Sequence, residues 1–222
     1  MMEKSSIFCR SLALITALLL TAVLCACGAS NKVDRKQTSE PEANASAQET
    51  AEAEGQYKIS GLPGTFDVPD GYNVYSLESG FTEEMCKAQG VGYDNMERYL
   101  EMSTIDVLIV PADQPLNSAE VQFEIRVKDQ KDYGIDNLAS LNDEDLKSFA
   151  NALVAGFGVS DYEIAEENGL RYVVFSTKIM QDQVRYATII NGKMVYVFSE
   201  CNGMLPDHFA EDLHQIAMSI RN

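Results

Sequence analysis

The sequence predicts an α+β domain, a mainly antiparallel sheet covered by helices, over residues 57–222 of the 222-residue chain. Three observations carry that expectation. Asn168-Gly169 and Asn191-Gly192 each separate two runs rich in β-branched and aromatic residues, and Asn-Gly is the strongest short signal for a tight hairpin. The run "EVQFEIRVK" alternates, with Val121, Phe123, Ile125 and Val127 on one side and Gln122, Glu124, Arg126 and Lys128 on the other. Two further segments, 143–158 and 206–220, keep the 3.6-residue period of amphipathic helices. Strands joined by hairpins, with helices between and after them, pack as layers of an α+β fold.

In chain order, "QYKISGLPGTFDVPDGYNVYS" strings short apolar pieces between Gly, Pro and Asp, the pattern of small strands joined by tight turns. Thr82 is placed to cap a short helix at "EEMCKAQ". Asp94 with Glu97 makes a capping-box-like start for a second helix, in which Met96, Tyr99 and Leu100 share a face. "STIDVLIVPAD" reads as a buried strand, apolar almost throughout from Ile105 to Val110. The eight-residue connection "PADQPLNS", Pro111 to Ser118, leads to the alternating strand, which is expected to belong to a sheet with one wet face or to lie near an edge. The next helix, "DEDLKSFANALVAGFG", aligns Leu146, Phe149, Ala150, Leu153, Val154 and Phe157, with Asp143, Glu144 and Asp145 favouring its N-terminus and Gly156 or Gly158 ending it. Four meander strands follow, and a last helix from Pro206 sets Phe209, Leu213, Ile216, Ala217 and Ile220 in one stripe.

The turn formed by Phe66, Val68, Pro69, Gly71 and Tyr72, the long meander and the final amphipathic helix ending in Ser219-Ile220 resemble the Mog/PsbP-like α/β/α sandwich. The resemblance covers most of residues 57–222. It implies a binding or assembly factor rather than an enzyme, and it brings no site residue with it, because such domains use different surfaces.

The first 26 residues read differently. Lys4 and Arg10 precede an apolar stretch from Leu12 to Ala26, the charge-then-apolar order of an export signal. Its fifteen residues cover only about 22 Å as a helix, against a hydrocarbon core of roughly 30 Å, so cleavage after export is favoured over a permanent span. Leu24, Cys25, Ala26, Cys27 and Gly28 resemble the lipobox of bacterial lipoproteins. That resemblance implies a diacylglycerol on the Cys27 thiol, removal of residues 1–26, palmitate-type acylation, and a membrane partner reached through Cys27. Cys25 follows the bulky Leu24 and fits the modified position less well. The alternative is an ordinary secreted protein cut at an A-x-A-like site, which explains neither cysteine. In residues 27–56 only Val33 is a large apolar side chain, so this acidic segment is expected to be a disordered spacer.

Composition removes some functions. A net charge of −17 argues against nucleic acid as a partner, because phosphate binding needs clustered Lys and Arg. The two histidines, His208 and His214, lie six residues apart on one helix, about 240° around its axis, and cannot share a metal ion. His208 with Asp212 is an i, i+4 pair better read as a solvated face. No G-x-S-x-G elbow is present, and "GFGVSD" reads as a helix end and turn rather than a phosphate cradle. "DQKDYGID" sets Gly134 sixth from Asp129, but Lys131, Tyr133 and Ser140 occupy ligand positions of a calcium loop, which excludes an EF-hand. Cys86 and Cys201 either pair as a disulfide or sit as two separate buried thiols. No catalytic, metal or cofactor site is expected. The reading is a non-catalytic module, lipid-anchored on the outer face of the cell membrane, that binds an envelope protein or small ligand. The alternative is an extracytoplasmic hydrolase, which close carboxylates with raised pKa values in a pocket would favour; an exposed apolar patch would favour the binder.

The anchoring expectation is tested by membrane fractionation. Cys27→Ala should leave the protein unprocessed or release it to the medium, whereas Cys25→Ala should change neither processing nor location. A shortened, acylated Cys27→Ala protein that still sediments with membranes contradicts the lipobox reading.

Overall fold

The computed structural model describes residues 55–129, 134–178, 182–201 and 203–222. The lipobox, the acidic spacer up to residue 54, and Lys131 and Tyr133 of the calcium-loop comparison lie outside them. The short apolar pieces form β1 (Gln56–Lys58) and β2 (Thr65–Asp67), a separate antiparallel ribbon in which Tyr57 faces Phe66. Then follow β3 (Tyr72–Ser76), α1 (Glu83–Ala88), α2 (Tyr93–Ser103), β4 (Val107–Pro111) and β5 (Val121–Asp129). The second half is α3 (Asp143–Gly156), β6 (Glu163–Glu167), β7 (Leu170–Lys178), β8 (Asp182–Ile190), β9 (Lys193–Cys201) and α4 (Asp207–Met218). Strands β3 to β9 make one seven-stranded sheet in the order β3-β4-β5-β9-β8-β7-β6. Every neighbouring pair is antiparallel. The α+β class is as the sequence predicts.

Local chemistry accounts for the element ends. Both hairpin Asn-Gly pairs are left-handed at both residues, with φ of 52° and 74° at Asn168 and Gly169 and 50° and 71° at Asn191 and Gly192. That is the geometry of a type I′ turn, whose twist matches paired strands. The Thr82 hydroxyl accepts the Met85 N–H and caps α1, and the Asn142 amide oxygen accepts the Asp145 N–H and caps α3. Helix α3 closes through Gly158 at φ 73°, with the Val159 N–H donating back to the Val154 carbonyl. Helix α2 departs from expectation: its cap is Gly92, with no side-chain hydrogen bond, and Asp94 falls inside the first turn. The left-handed twist needed to leave α1 at Gly90, φ 74°, brings the chain back early and starts the helix before Asp94.

Three apolar clusters show which face each helix covers. Helix α4 and the β1–β2 ribbon lie on the first face, where Phe209, Leu213, Ile216, Ile59 and Phe66 meet alternate residues of the sheet such as Phe123, Val197 and Tyr172. Helix α3 lies on the second face over β7, β8 and β9, against Val173, Phe175, Ala187 and Met194. Helices α1 and α2 cover the other end of the second face, where Cys86, Met96 and Leu100 pack on Tyr75, Leu108 and Val110. The result is three layers with helices on both faces. Strand β5 is an interior strand between β4 and β9 rather than an edge, and its second-face side runs from buried Glu124 through half-buried Gln122 and Arg126 to exposed Lys128. Neighbouring strands, not its own pattern, decide what covers its polar side.

The β1–β2 ribbon is tied to the residues that follow α4. The Thr65 N–H donates to the Arg221 carbonyl at 3.2 Å and the Arg221 N–H donates to Thr65 at 2.9 Å. The Ser219 hydroxyl accepts the Asp67 N–H, and the Arg221 guanidinium donates to the Asp67 carboxylate at 2.7 Å. Gly64 permits this approach, since a Cβ there would stand 1.9 Å from the Arg221 carbonyl oxygen.

Leu213 is fully buried, so Leu213→Ala should lower unfolding stability by about 2–5 kcal/mol, the range for emptying a core site. His214→Ala should cost no more than about 1 kcal/mol, because it loses a single contact, between its Nδ1 and the Tyr186 hydroxyl. Chemical denaturation of both variants checks the ranking, and equal stabilities would contradict the packing.

Candidate functional site: a polar seam between two helix layers

On the second face, α2 and α3 leave a strip over β5 and β9 that neither apolar cluster fills. Register aligns its side chains. Phe175, Arg185, Phe198, Glu124 and Leu108 form one cross-strand row. Beside it, Ala187, Tyr196 and Arg126 form a second row. The outward residues of β5 thus meet the aromatic side of β9.

Glu124 is 1% exposed, which the sequence pattern does not suggest. Its carboxylate oxygen Oε2 accepts both the Nε (2.7 Å) and the Nη2 (2.6 Å) of Arg126. The Arg126 guanidinium in turn lies 5.4 Å from the Phe198 ring centroid. Burial holds the Glu124 pKa above the usual carboxylate range, the nearby Glu200 adds to this, and Arg126 opposes it. Arg185 stands on the other flank of Phe198, 4.3 Å from the ring centroid, with the Phe157 ring 5.1 Å away. Its Nη2 donates to the Gln183 side-chain oxygen, and Gln183 Nε2 donates to Glu200 Oε1 at 3.0 Å. Arg185 Nε is buried and has no hydrogen-bond partner. Among the described residues no carboxylate lies within ion-pair distance of Arg185. Burial accordingly lowers the Arg185 pKa, with Glu200 acting against it.

The rim of the seam is aromatic. Tyr99 of α2, 38% exposed, has its pKa raised by burial and then by Glu124 and Glu200, which places it near both acids. Met102, one turn on, is 78% exposed. Phe157, at the end of α3, packs on Phe175 and Tyr196 and also lines an open groove of about 780 Å³ with Tyr162, Ser176 and Lys178. Lys128 lies 5.8 Å over the Tyr196 ring. Every cation–ring contact among the described residues belongs to this seam. Stacking on aromatic faces is favourable for guanidinium and ammonium groups, more so where water is excluded. Among the described residues the strip thus holds three cations over rings, Arg126, Lys128 and Arg185, beside the acids Glu124 and Glu200.

The residues singled out from sequence fall elsewhere. Cys27 lies outside the described residues. Cys86 packs under α1 on the second face, whereas Cys201 is in the first-face core with its thiol donating to the Gly203 carbonyl. No disulfide joins them, because the sheet lies between. His208 and His214 are on α4, across the sheet from the seam; Asp212, the expected partner of His208, accepts the Tyr72 hydroxyl. Among the described residues no group of three or more His, Cys, Asp or Glu is placed to hold a metal ion. Asp143, Glu144 and Asp145 occupy the first turn of α3. The "PADQPLNS" connection ends in a short 3-10 turn, Leu116–Ser118, that buries Leu116.

No protein-family model and no curated protein matches this sequence. The chain is similar to the solution structure of cyanobacterial PsbP (CyanoP) from Synechocystis sp. PCC 6803, at 12% identity and a TM-score of 0.42, over 75% of this chain and 90% of that one. No residue role is transferred from that likeness.

The raised Glu124 pKa fixes the sign of a pH effect. Folded Glu124 holds its proton to higher pH than the unfolded chain does, so its contribution to stability is complete below the ordinary value of 4.5 and is lost as pH rises through the higher folded value. The stability of the native protein relative to Glu124→Gln should therefore fall as pH rises from 4.5 upward. Urea unfolding of both proteins across that window checks it; a relative stability that rises with pH contradicts the effect of burial on Glu124.

Proposed function

We propose that this chain is a lipid-anchored, non-catalytic binding module on the outer face of the cell membrane, and that the seam beside Arg185 is where its ligand or partner engages. The observation that carries the reading is Arg185 itself: a guanidinium stacked on Phe198 and Phe157, with a buried Nε that lacks a partner. Such a group costs stability in a monomer, since a buried polar atom without a hydrogen bond forfeits about 1–3 kcal/mol. A cost of that kind is understandable where binding removes it. Tyr99, close to Glu124 and Glu200, and Met102 further along the same helix are exposed, and supply the apolar surface expected of a docking edge. The anchor at Cys27 rests on the lipobox resemblance, and residues 28–56 would serve as its spacer.

The hydrolase reading draws on one observation, the raised pKa of Glu124 with Glu200 nearby. Against it, Glu124 is 1% exposed and its oxygen already holds Arg126, so it reaches no substrate proton while that pair is closed. Neither histidine is on that face of the sheet.

A photo-crosslinking residue placed at Tyr99 or Phe157 of the membrane-anchored protein, with one at Glu211 on the opposite face as control, tests the reading. Adducts should form in native membranes from the two seam positions and not from Glu211. Adducts confined to Glu211 overturn the choice of site. A hydrolytic activity of the purified protein that Glu124→Gln abolishes overturns the non-catalytic assignment.

A further inference from the structure

The two arginines of the seam stack on the same phenylalanine, yet their donor edges are in different states. Arg126 offers Nε and Nη2 side by side, and both are held by one carboxylate oxygen of Glu124. Arg185 offers the same pair of donors, but its Nε has no partner and its Nη2 is held by the neutral amide oxygen of Gln183. A guanidinium fork matches a carboxylate, and such charge-assisted pairs are about twice as strong as neutral hydrogen bonds. Gln183 has a second attachment, to Glu200, and stays anchored if its oxygen is displaced from Arg185.

Local charge favours the same answer. Among the described residues Arg126, Lys128 and Arg185 all stand over rings of this strip, in a chain whose net charge is −17. Arg126 is engaged by Glu124 Oε2, so Arg185 and the exposed Lys128 are the cations of the strip without an ion pair among the described residues, and of the two only Arg185 has a buried donor without a partner. Beside it, the Phe157 ring lies 5.1 Å from the Arg185 guanidinium, and Phe157 is also one of the residues lining the open groove, together with Phe175, Tyr162, Lys178 and the acids Asp161 and Glu163.

Resting on the binding-module reading above, we infer that Arg185 is the recognition residue for a carboxylate carried on a flat apolar group. The carboxylate takes Nε and Nη2, reproducing at Arg185 the arrangement Glu124 makes at Arg126, while the apolar body packs on Phe157. The chemistry is shared by a free aromatic acid and by a peptide ending in an aromatic residue.

The test uses the full chain in detergent micelles and follows the ¹⁵N resonance of the Arg185 Nε–H group. The probes are benzoate, its neutral counterpart benzamide, acetate, inorganic phosphate and N-acetylphenylalanine. Benzoate should give a saturable shift, benzamide none, and acetate a weaker one because it lacks the ring. Arg185→Gln, which lacks that resonance and is followed by calorimetric titration beside the native protein, should bind benzoate about tenfold or more weakly, the loss of a charge-assisted pair, and Phe157→Ala should weaken benzoate more than acetate. Tighter binding of N-acetylphenylalanine than of benzoate identifies a peptide carboxylate as the natural source, and the reverse order a free acid; either supports the inference. Saturation by phosphate alone, equal binding of benzamide, or benzoate affinity unchanged in a folded Arg185→Gln protein overturns it. The native-protein titration needs no variant, so loss of folding in Arg185→Gln leaves the decision intact. No shift with any probe overturns the carboxylate assignment, while crosslinks from Tyr99 or Phe157 would still uphold the site; absence of both ends the binding-module reading as well.

Discussion

The ladder between β5 and β9 is the constraint on which the other contacts depend. Nine residue pairs, from Val121 with Cys201 to Asp129 with Lys193, join the β3–β4–β5 half of the sheet to the β6–β9 meander. The partners are far apart in sequence, so closing this ladder costs chain entropy that only the completed apolar layers recover. Once it is closed, Val121, Phe123 and Ile125 meet Val195 and Val197 beneath α4, and the opposite sides of the same strands are brought together on the other face. The polar seam is a by-product of this register: Glu124 is set opposite Phe198 and Arg126 opposite Tyr196. A slip of one residue would put these charges into the α4 core.

Burying ions in that position is expensive, and the structure offsets the expense unevenly. Removing a carboxylate and a guanidinium from water costs several kcal/mol each, which a close pair with well-aligned hydrogen bonds only balances. Glu124 and Arg126 have such a pair. Arg185 relies instead on two aromatic faces and the amide oxygen of Gln183, whose Nε2 donates to Glu200, a weaker set for a charge so enclosed. The two guanidiniums, side by side on one ring, thus differ in that one is held by a carboxylate and the other leaves a buried donor without a partner.

Much of the fold was legible in the residues. The Asn-Gly pairs located both hairpins, the Leu146 to Val154 and Phe209 to Ile220 periodicities located α3 and α4, and Thr82 located the start of α1. The seam was not legible, for a physical reason. Alternation in "EVQFEIRVK" reports which residues share a side, and it is silent about what lies across from that side. Strand β9 carries large apolar groups on both sides, Val195 and Val197 on one and Met194, Tyr196 and Phe198 on the other, and this two-sided character was the available sign of a central strand. That β9 pairs with β5 is a tertiary fact, and without it Glu124 and Arg126 read as solvated. The α2 cap was missed for a smaller reason: Asp94 has the right chemistry, but the turn at Gly90 starts the helix at Tyr93. The two thiols could not be placed in space before the sheet that separates them was known.

The tie between Thr65 and Arg221 has a consequence in time. A polypeptide is made with its N-terminal side first, yet the β1–β2 ribbon completes its docking through Asp67 with Ser219 and Arg221, 152 and 154 residues further on. Its Ile59 and Phe66 remain without their cover until α4 has arrived. The ribbon therefore cannot dock stepwise as its own residues emerge; its docking waits for the residues that follow α4. Until then Ile59 and Phe66 are exposed apolar groups, a liability for association during folding.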